Sequence, residues 1–204
     1  MKTAALAFAI ALLPCLSSAA TVTFTDRATF EAAAGTVTTQ DFESQTVGTN
    51  LQNVTTDLGD FSLSVVSIFG GSFNLIDQFG LNDPNGSIYA SIGLGGGETM
   101  TLLFDSAITS FGADFGALND FVQRSQFEVL GDILLAPILS GEASFFGFTS
   151  DTAFTSLTIR GLSPSDGFGI DNITYSVAAI PVPATLPLLA GGLGLLALWR
   201  RRTA

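Results

Sequence analysis

The residues of this sequence that could do chemistry are its carboxylates. Asp41 and Glu43 lie near the start of the long central segment, and Asp171 lies near its end. Calcium binds carboxylate, carbonyl and amide oxygens, so these three residues are the candidate ligands of a Ca²⁺ ion. Carboxylates of an acidic domain are also ordinary solvated surface groups, and that interpretation is the alternative. The sequence indicates no other cofactor.

Catalysis is constrained by the residue types that the sequence lacks. The chain contains no histidine, which excludes Ser-His-Asp chemistry and nearly all catalytic zinc sites. Paired carboxylates could hydrolyse glycosides, but no glutamate stands in a recognisable acid/base motif. The glycine-rich run 93–97 lacks the lysine of a phosphate loop and is predicted to be a hairpin connection. We therefore expect no enzyme, with a polysaccharide hydrolase or lyase on the same scaffold as the alternative.

The charge of the central segment narrows the choice of partners. Residues 21–177 carry all eighteen acidic residues of the chain but only the basic residues Arg27, Arg124 and Arg160, a formal charge of −15. Such a surface repels the phosphates of nucleic acids and anionic lipid headgroups, and it attracts divalent cations. No nucleic-acid partner is expected.

The central segment has the composition and patterning of β-structure. Short runs rich in β-branched and aromatic residues alternate with Gly, Asn, Asp and Pro clusters, and one short helix is expected between Asp26 and Gly35. Strands are predicted at Val22–Phe24, Thr38–Phe42, Phe61–Ile68, Ser87–Ile92, Thr99–Phe104, Ser110–Phe115, Gln126–Leu130, Glu142–Phe148, Ser156–Ile159 and Asn172–Val177.

These strands lack the long helical crossovers that a parallel sheet requires. They predict an all-β fold, an antiparallel two-sheet sandwich of the jelly-roll type, plus a C-terminal single transmembrane helix. The chain has eighteen Phe residues against one Trp. We interpret the Phe side chains as the core between the two sheets, because a surface that stacks on sugar rings would use Trp and Tyr, and only Tyr89 and Tyr175 are available.

The last strand region carries a resemblance. The sequence from Asp166 to Tyr175, which contains Asp171-Asn172, is similar to the ends of secreted jelly-roll ectodomains, including carbohydrate-binding modules. In such folds an aspartate of the last strand meets acidic residues near the first strands, and some of them bind Ca²⁺ there. The resemblance thus implies that Asp171 meets Asp41 or Glu43.

The N-terminus has the organisation of an export signal. Lys2, the apolar run Ala4–Leu13 and the small residues 17–20 predict a signal peptide over residues 1–20, cut by signal peptidase after Ala19 or Ala20. Cys15 raises a lipoprotein alternative, although Pro14 stands where a lipobox has Gly or Ala. Removal of the peptide would leave no cysteine and hence no disulfide.

The C-terminus is organised as a membrane-sorting tail. A Pro-rich motif over residues 178–185 contains Pro181, Val182, Pro183 and Ala184, and an apolar segment over 186–199 is predicted to cross the membrane. The tail 200–204 contains Arg200, Arg201 and Arg202, which are expected to stay on the cytoplasmic side.

This order of parts resembles the VPLPA variant of the PEP-CTERM sorting signals of Gram-negative bacteria, with Val182 in place of the glutamate of the PEP form. The resemblance implies cleavage by an exosortase, an intramembrane cysteine protease. The chain would be anchored in the inner membrane before processing and would then pass to the cell surface or an extracellular polysaccharide matrix. Its ectodomain would be a structural or glycan-binding module, with exopolysaccharide as a further partner. An unprocessed, tail-anchored periplasmic protein is the alternative.

Overall fold

The computed structural model describes residues 20–68, 73–120, 122–138 and 144–179. Within them the chain forms mostly antiparallel β-structure with one short helix, which confirms the predicted all-β class. In chain order the elements are β1 Thr21–Phe24, α1 Arg27–Ala34, β2 Thr38–Gln40, β3 Thr55–Asp57, β4 Phe61–Val66, β5 Leu75–Gln78, β6 Ile88–Leu94, β7 Thr99–Gly116, β8 Ser125–Val129, β9 Asp132–Leu134, β10 Ser144–Gly161 and β11 Asp166–Val177.

The helix α1 has the predicted boundaries, and capping explains them. The Asp26 carboxylate accepts a hydrogen bond from the Thr29 backbone N–H at 2.9 Å, which satisfies one free donor of the first turn. At the other end the Gly35 N–H donates to the Glu31 carbonyl at 3.0 Å with φ of 80°, a conformation that glycine adopts without steric penalty. Phe30 is the buried side chain of this helix.

Two long strands, β7 and β10, organise the strand network. Their segments 99–104 and 156–160 pair with each other and extend through β4 to β3 on one side and through β8 to β9 on the other. We call this group sheet I. Their segments 108–116 and 144–149 also pair, and they extend to β1 on one side and through β11 to β2, β6 and β5 on the other. We call this group sheet II.

Aromatic contacts show that the two sheets face each other. The Phe127 ring of sheet I lies 5.9 Å from the Phe115 ring and 5.1 Å from the Phe146 ring, both of sheet II. Phe104 of sheet I likewise lies 5.2 Å from Tyr175 of sheet II. The fold is therefore a β-sandwich with an aromatic core, as predicted, since antiparallel sheets bury one face each.

The predicted strand boundaries differ from the structure where strands bend. β7 and β10 were each predicted as two strands, whereas each is continuous and passes from one sheet to the other through an irregular pairing register. The prediction for the glycine-rich run 93–97 was wrong. It is no hairpin, because Leu94 pairs with Asp166 in sheet II while Thr99 pairs with Val66 in sheet I.

Several predicted segments lie outside the described residues. They are residues 1–19 of the signal peptide, the motif residues Pro181, Val182, Pro183 and Ala184, the transmembrane segment 186–199, and Arg200, Arg201 and Arg202. Within the described ranges, no helix has the length and apolar character to cross a membrane. These segments stay predictions.

Candidate functional site

Glycines in sheet II allow a loop to lie directly on its outer face. A Cβ atom at Gly116 would lie 2.2 Å from the Asn82 carbonyl oxygen, and one at Gly169 would lie 2.1 Å from the same atom. Real Cβ atoms do not approach so closely, so only glycine permits this contact. The loop between β5 and β6 thereby covers the end of β7 and the part of β11 that pairs with it, and it brings its polar residues onto Asp171.

Asp171 is fully buried beneath this loop. Its Oδ2 atom accepts hydrogen bonds from Asn85 Nδ2 at 2.8 Å and from Ser87 Oγ at 2.7 Å, and its Oδ1 atom accepts one from the Asn172 N–H at 2.6 Å. Burial raises the pKa of Asp171, and these hydrogen bonds act in the opposite direction. The carboxylate thus ties the loop to the sheet.

Asp114 lies directly opposite Asp171 in the pairing of β7 with β11. Its Oδ1 atom lies 2.9 Å from an Arg27 guanidinium nitrogen, and its Oδ2 atom accepts a hydrogen bond from Asn172 Nδ2 at 2.9 Å. Arg27 also donates to Thr174 Oγ1 at 2.8 Å and stacks on the Phe145 ring, 4.7 Å from its centre. Helix α1 is anchored to sheet II by this ion pair, which the sequence analysis did not identify.

The structure brings Glu43 and Asp171 to neighbouring residues. Glu43 Oε1 accepts a hydrogen bond from the Ile88 N–H at 3.0 Å, and Ile88 follows the Ser87 that binds Asp171. Asp41 is exposed and accepts a hydrogen bond from the Glu43 N–H at 3.2 Å. No group of three or more Asp, Glu, His or Cys side chains that could hold a metal ion occurs in the described residues. The calcium site on Asp41, Glu43 and Asp171 stays a prediction.

The opposed pair Asp114 and Asp171 has the composition of a glycosidase acid/base pair, with one carboxylate beside an arginine and one deeply buried. The burial of Asp171 argues against that interpretation. Asp171 has no exposed surface, and three protein donors already occupy its oxygens. A substrate would have to displace the loop that Asp171 holds, so the geometry favours a structural role for the pair.

A small cavity of about 130 Å³ opens where β7 bends between the sheets. Phe104, Ile108 and Tyr175 form its buried floor, and the exposed residues Asp60 and Asp105 stand at its rim. The Tyr175 hydroxyl donates to Asp60 Oδ2 at 2.7 Å, and burial together with Asp60 raises the pKa of Tyr175. Tyr175 therefore serves the core, and Tyr89 is also fully buried. Neither tyrosine offers an exposed ring for stacking on sugars.

Comparison with known proteins gives no family for this chain. No protein-family model matches it, and no curated protein matches it significantly. Among solved structures it partly resembles the K2 cleaved adhesin domain of Lys-gingipain, with a TM-score of 0.44 and 14% sequence identity over 70% of this chain and 100% of that domain. A likeness of this size assigns no function.

Proposed function

We propose that this chain is an exported protein that an exosortase-type system sorts to the cell surface or the extracellular polysaccharide matrix. The single observation that carries the proposal is the order of the C-terminal parts, a Pro-Val-Pro-Ala motif, the apolar segment 186–199 and three arginines. Prolines disfavour helix at the entry to the apolar segment, and the arginines hold its end in the cytoplasm.

The ectodomain of this protein is a non-catalytic structural or glycan-binding module of the jelly-roll type. Its β-sandwich and its acidic surface support such a role outside the cell. A domain with a formal charge of −15 resists association with anionic surfaces and stays dispersed until a specific contact forms. The absence of histidine from the sequence and the occupied oxygens of Asp171 favour binding over catalysis.

The sorting proposal is tested by following the tail in cells with and without an exosortase. We expect C-terminal mass spectrometry to show loss of the apolar segment and the arginines only in cells that contain the enzyme. Deletion of residues 186–204 should release the ectodomain in both strains. An intact tail on the mature protein in exosortase-containing cells would overturn the proposal and leave a tail-anchored protein.

The role of the arginines is tested by two matched replacements. Changing Arg200, Arg201 and Arg202 together to Gln removes the positive charge that sets membrane orientation, so retention should weaken. Changing the same three residues to Lys keeps the charge and should preserve retention. Equal retention of both variants would show that charge at these positions does not hold the tail.

A further inference from the structure

A second and larger cavity, of about 320 Å³, lies on the outer side of sheet II. Strand alternation explains its position. Ile76, Ala90 and Ile92 belong to the core between the sheets. Their neighbours Asp77 and Ser91 therefore point away from the core, to the outer side of the sheet. The turn that follows β5 closes the cavity. Its volume falls at the lower end of the range of small-ligand pockets. Its lining residues are Phe73, Asp77, Gly80, Leu81, Asn82 and Ser91.

The polar wall of this cavity is held in a fixed position. Asp77 Oδ1 accepts a hydrogen bond from the Gln78 N–H at 2.8 Å, and its Oδ2 atom accepts one from the Tyr89 hydroxyl at 3.4 Å. Burial, with the nearby Asp77 and Asp83, raises the pKa of Tyr89 to about 12, so the phenol stays a donor at neutral pH. The Asn82 side-chain amide makes no hydrogen bond to another described residue and can therefore donate to and accept from a ligand.

Gly80 is the residue that lets the turn close over this polar wall. A Cβ atom at this position would lie 2.2 Å from Asp77 Oδ2 and 2.3 Å from the Tyr89 hydroxyl oxygen. Any other residue would push the carboxylate or the turn aside. The approach of the turn to Asp77 thus depends on the absence of a side chain at position 80.

The apolar wall and rim carry exposed side chains that packing does not explain. Phe73 is half-buried, and its ring lies close above Gly167, where a Cβ atom would approach to 2.8 Å. Leu81, which lines the cavity, is 93% exposed, and Phe79, the residue before Gly80, is 73% exposed. Phe79 also has φ of 60°, which is unfavourable for a bulky side chain. The expectation that the Phe residues form the core is wrong for Phe79.

The charge around the cavity restricts what it can hold. Asp77 lines it and Asp83 lies nearby, whereas no Lys or Arg is among the described residues that line it. Uronates, sulfated sugars and phosphates would be repelled there. A neutral molecule with one apolar face and several hydroxyl groups matches both walls.

We propose that this cavity binds a neutral hexopyranose unit of a polysaccharide, with Phe73 and Leu81 against its C–H face and Asp77 and Asn82 on its hydroxyls. The inference rests on the proposed surface function and names the ligand class for it. Sugar hydroxyls donate and accept hydrogen bonds, which suits a carboxylate beside an amide.

Binding is tested with the full chain in a zwitterionic detergent that has no sugar headgroup. Methyl glycosides of glucose, galactose and mannose are the neutral probes, methyl glucuronide is the anionic probe, and saturation-transfer NMR is the readout. We expect transfer to at least one neutral glycoside and none to the glucuronide. Absence of transfer to all three neutral glycosides, or equal transfer to the glucuronide, would overturn the proposal.

The location of binding is tested with variants at the exposed Leu81 and the half-buried Asn82, neither of which belongs to the core, so folding should stay intact. Leu81→Ser and Asn82→Ala should each weaken binding by about tenfold, because each removes one wall of the cavity. Leu135→Ser is the matched control, since Leu135 is 62% exposed and does not line this cavity; it should bind like the wild type. Unchanged binding in both cavity variants would contradict the site.

The two proposals fail separately. Loss of the tail in exosortase-containing cells, together with no glycoside binding, would overturn the sugar site and support the proposed surface function. Glycoside binding together with an intact tail in those cells would support the sugar site and overturn the sorting proposal.

Discussion

At the residue scale, Glu128 and Arg160 form an ion pair whose contribution can be measured. Two guanidinium nitrogens of Arg160 contact the two carboxylate oxygens of Glu128, at 2.5 and 3.0 Å, across the pairing of β8 with β10. The hydrogen bonds from Arg160 lower the pKa of Glu128. Both side chains are partly exposed, at 38% for Arg160 and 29% for Glu128, so solvent screening limits the effect.

We expect Glu128→Gln to reduce the free energy of unfolding by about 0.5 kcal/mol near pH 7. A lowered pKa in the folded state means that the stabilisation is present above the unfolded value of about 4.3 and is lost as the pH falls through the folded value. Urea unfolding of the wild type and of Glu128→Gln between pH 7 and pH 3 should therefore show that the difference in their free energies of unfolding disappears as the pH falls. Asp132→Asn is the control for net charge, since Asp132 is an exposed residue of β9, the neighbouring strand. Equal effects of the two substitutions at pH 7 would show that the ion pair contributes nothing.

The sequence identified some of the functional side chains but not their partners. Asp171 and Glu43 were selected because carboxylates near the two ends of the domain were expected to meet, and both do reach the segment 87–88. The ion pair of Arg27 with Asp114 was missed because a pairing across 87 positions leaves no local signal. Phe79 was missed because residue type alone does not separate an exposed Phe from a buried one. Its position beside Gly80, in a turn rather than an alternating strand, was the available clue.

At the element scale, the glycines under the β5–β6 loop make a second prediction. Gly116→Ala places a methyl group against the backbone oxygen of Asn82, which cannot rotate away as a side-chain end could. We expect a loss of about 1–3 kcal/mol in unfolding free energy, the usual cost of overpacking. Chemical denaturation of the ectodomain measures it.

Gly96→Ala is the control for that experiment. Its nearest neighbour would lie 3.7 Å from the new Cβ atom, an ordinary contact, and its φ is not positive. It should therefore change stability by less than about 0.5 kcal/mol. Gly→Ala at a compatible position lowers the entropy of the unfolded chain and by itself does not destabilise. A loss at position 96 as large as that at position 116 would therefore contradict the loop contact as the source of the cost.

Strand patterning predicted most of the strands and missed three short ones. The capped helix α1 and the alternating strand β4 follow from local sequence, because capping and period-two burial are local properties. β3, β5 and β9 were not predicted, since each has only three or four residues and lies at the end of a sheet. The continuity of β7 and β10 could not be read from sequence, because residues 105 and 106 are exposed and polar within β7, as in a turn.

At the scale of the whole molecule, net charge links calcium to stability. A formal charge of −15 makes the folded domain repel itself. An ion held by Asp41, Glu43 and Asp171 would relieve that repulsion, and it would have to replace the Asn85 and Ser87 donors at Asp171 Oδ2. Calcium at about a hundred times its Kd should add roughly 2.7 kcal/mol to the unfolding free energy. Melting of the ectodomain in EDTA, in millimolar CaCl₂ and in NaCl of matched ionic strength separates specific binding from screening.

The substitutions Glu43→Gln and Asp171→Asn identify the ligands in that experiment. Each should abolish the rise in melting temperature that calcium produces beyond the rise in NaCl of matched ionic strength. Equal shifts in the two salts, or a calcium-specific shift that survives both substitutions, would exclude this site and leave the carboxylates as surface and loop-anchoring groups.

The central place of β11 has a mechanical consequence for a tethered protein. The chain leaves the sandwich at Val177, at the end of a strand that is paired on both sides, with β7 on one side and with β2 and β6 on the other. Suppose that a polysaccharide is held at the cavity beside β6 while the residues that follow Val177 are attached to the cell surface. Tension then runs along β11 and crosses to β6 through the ladder from Asp166–Leu94 to Ile170–Ala90. Because the force is parallel to the strands, these hydrogen bonds share it in shear rather than breaking one after another.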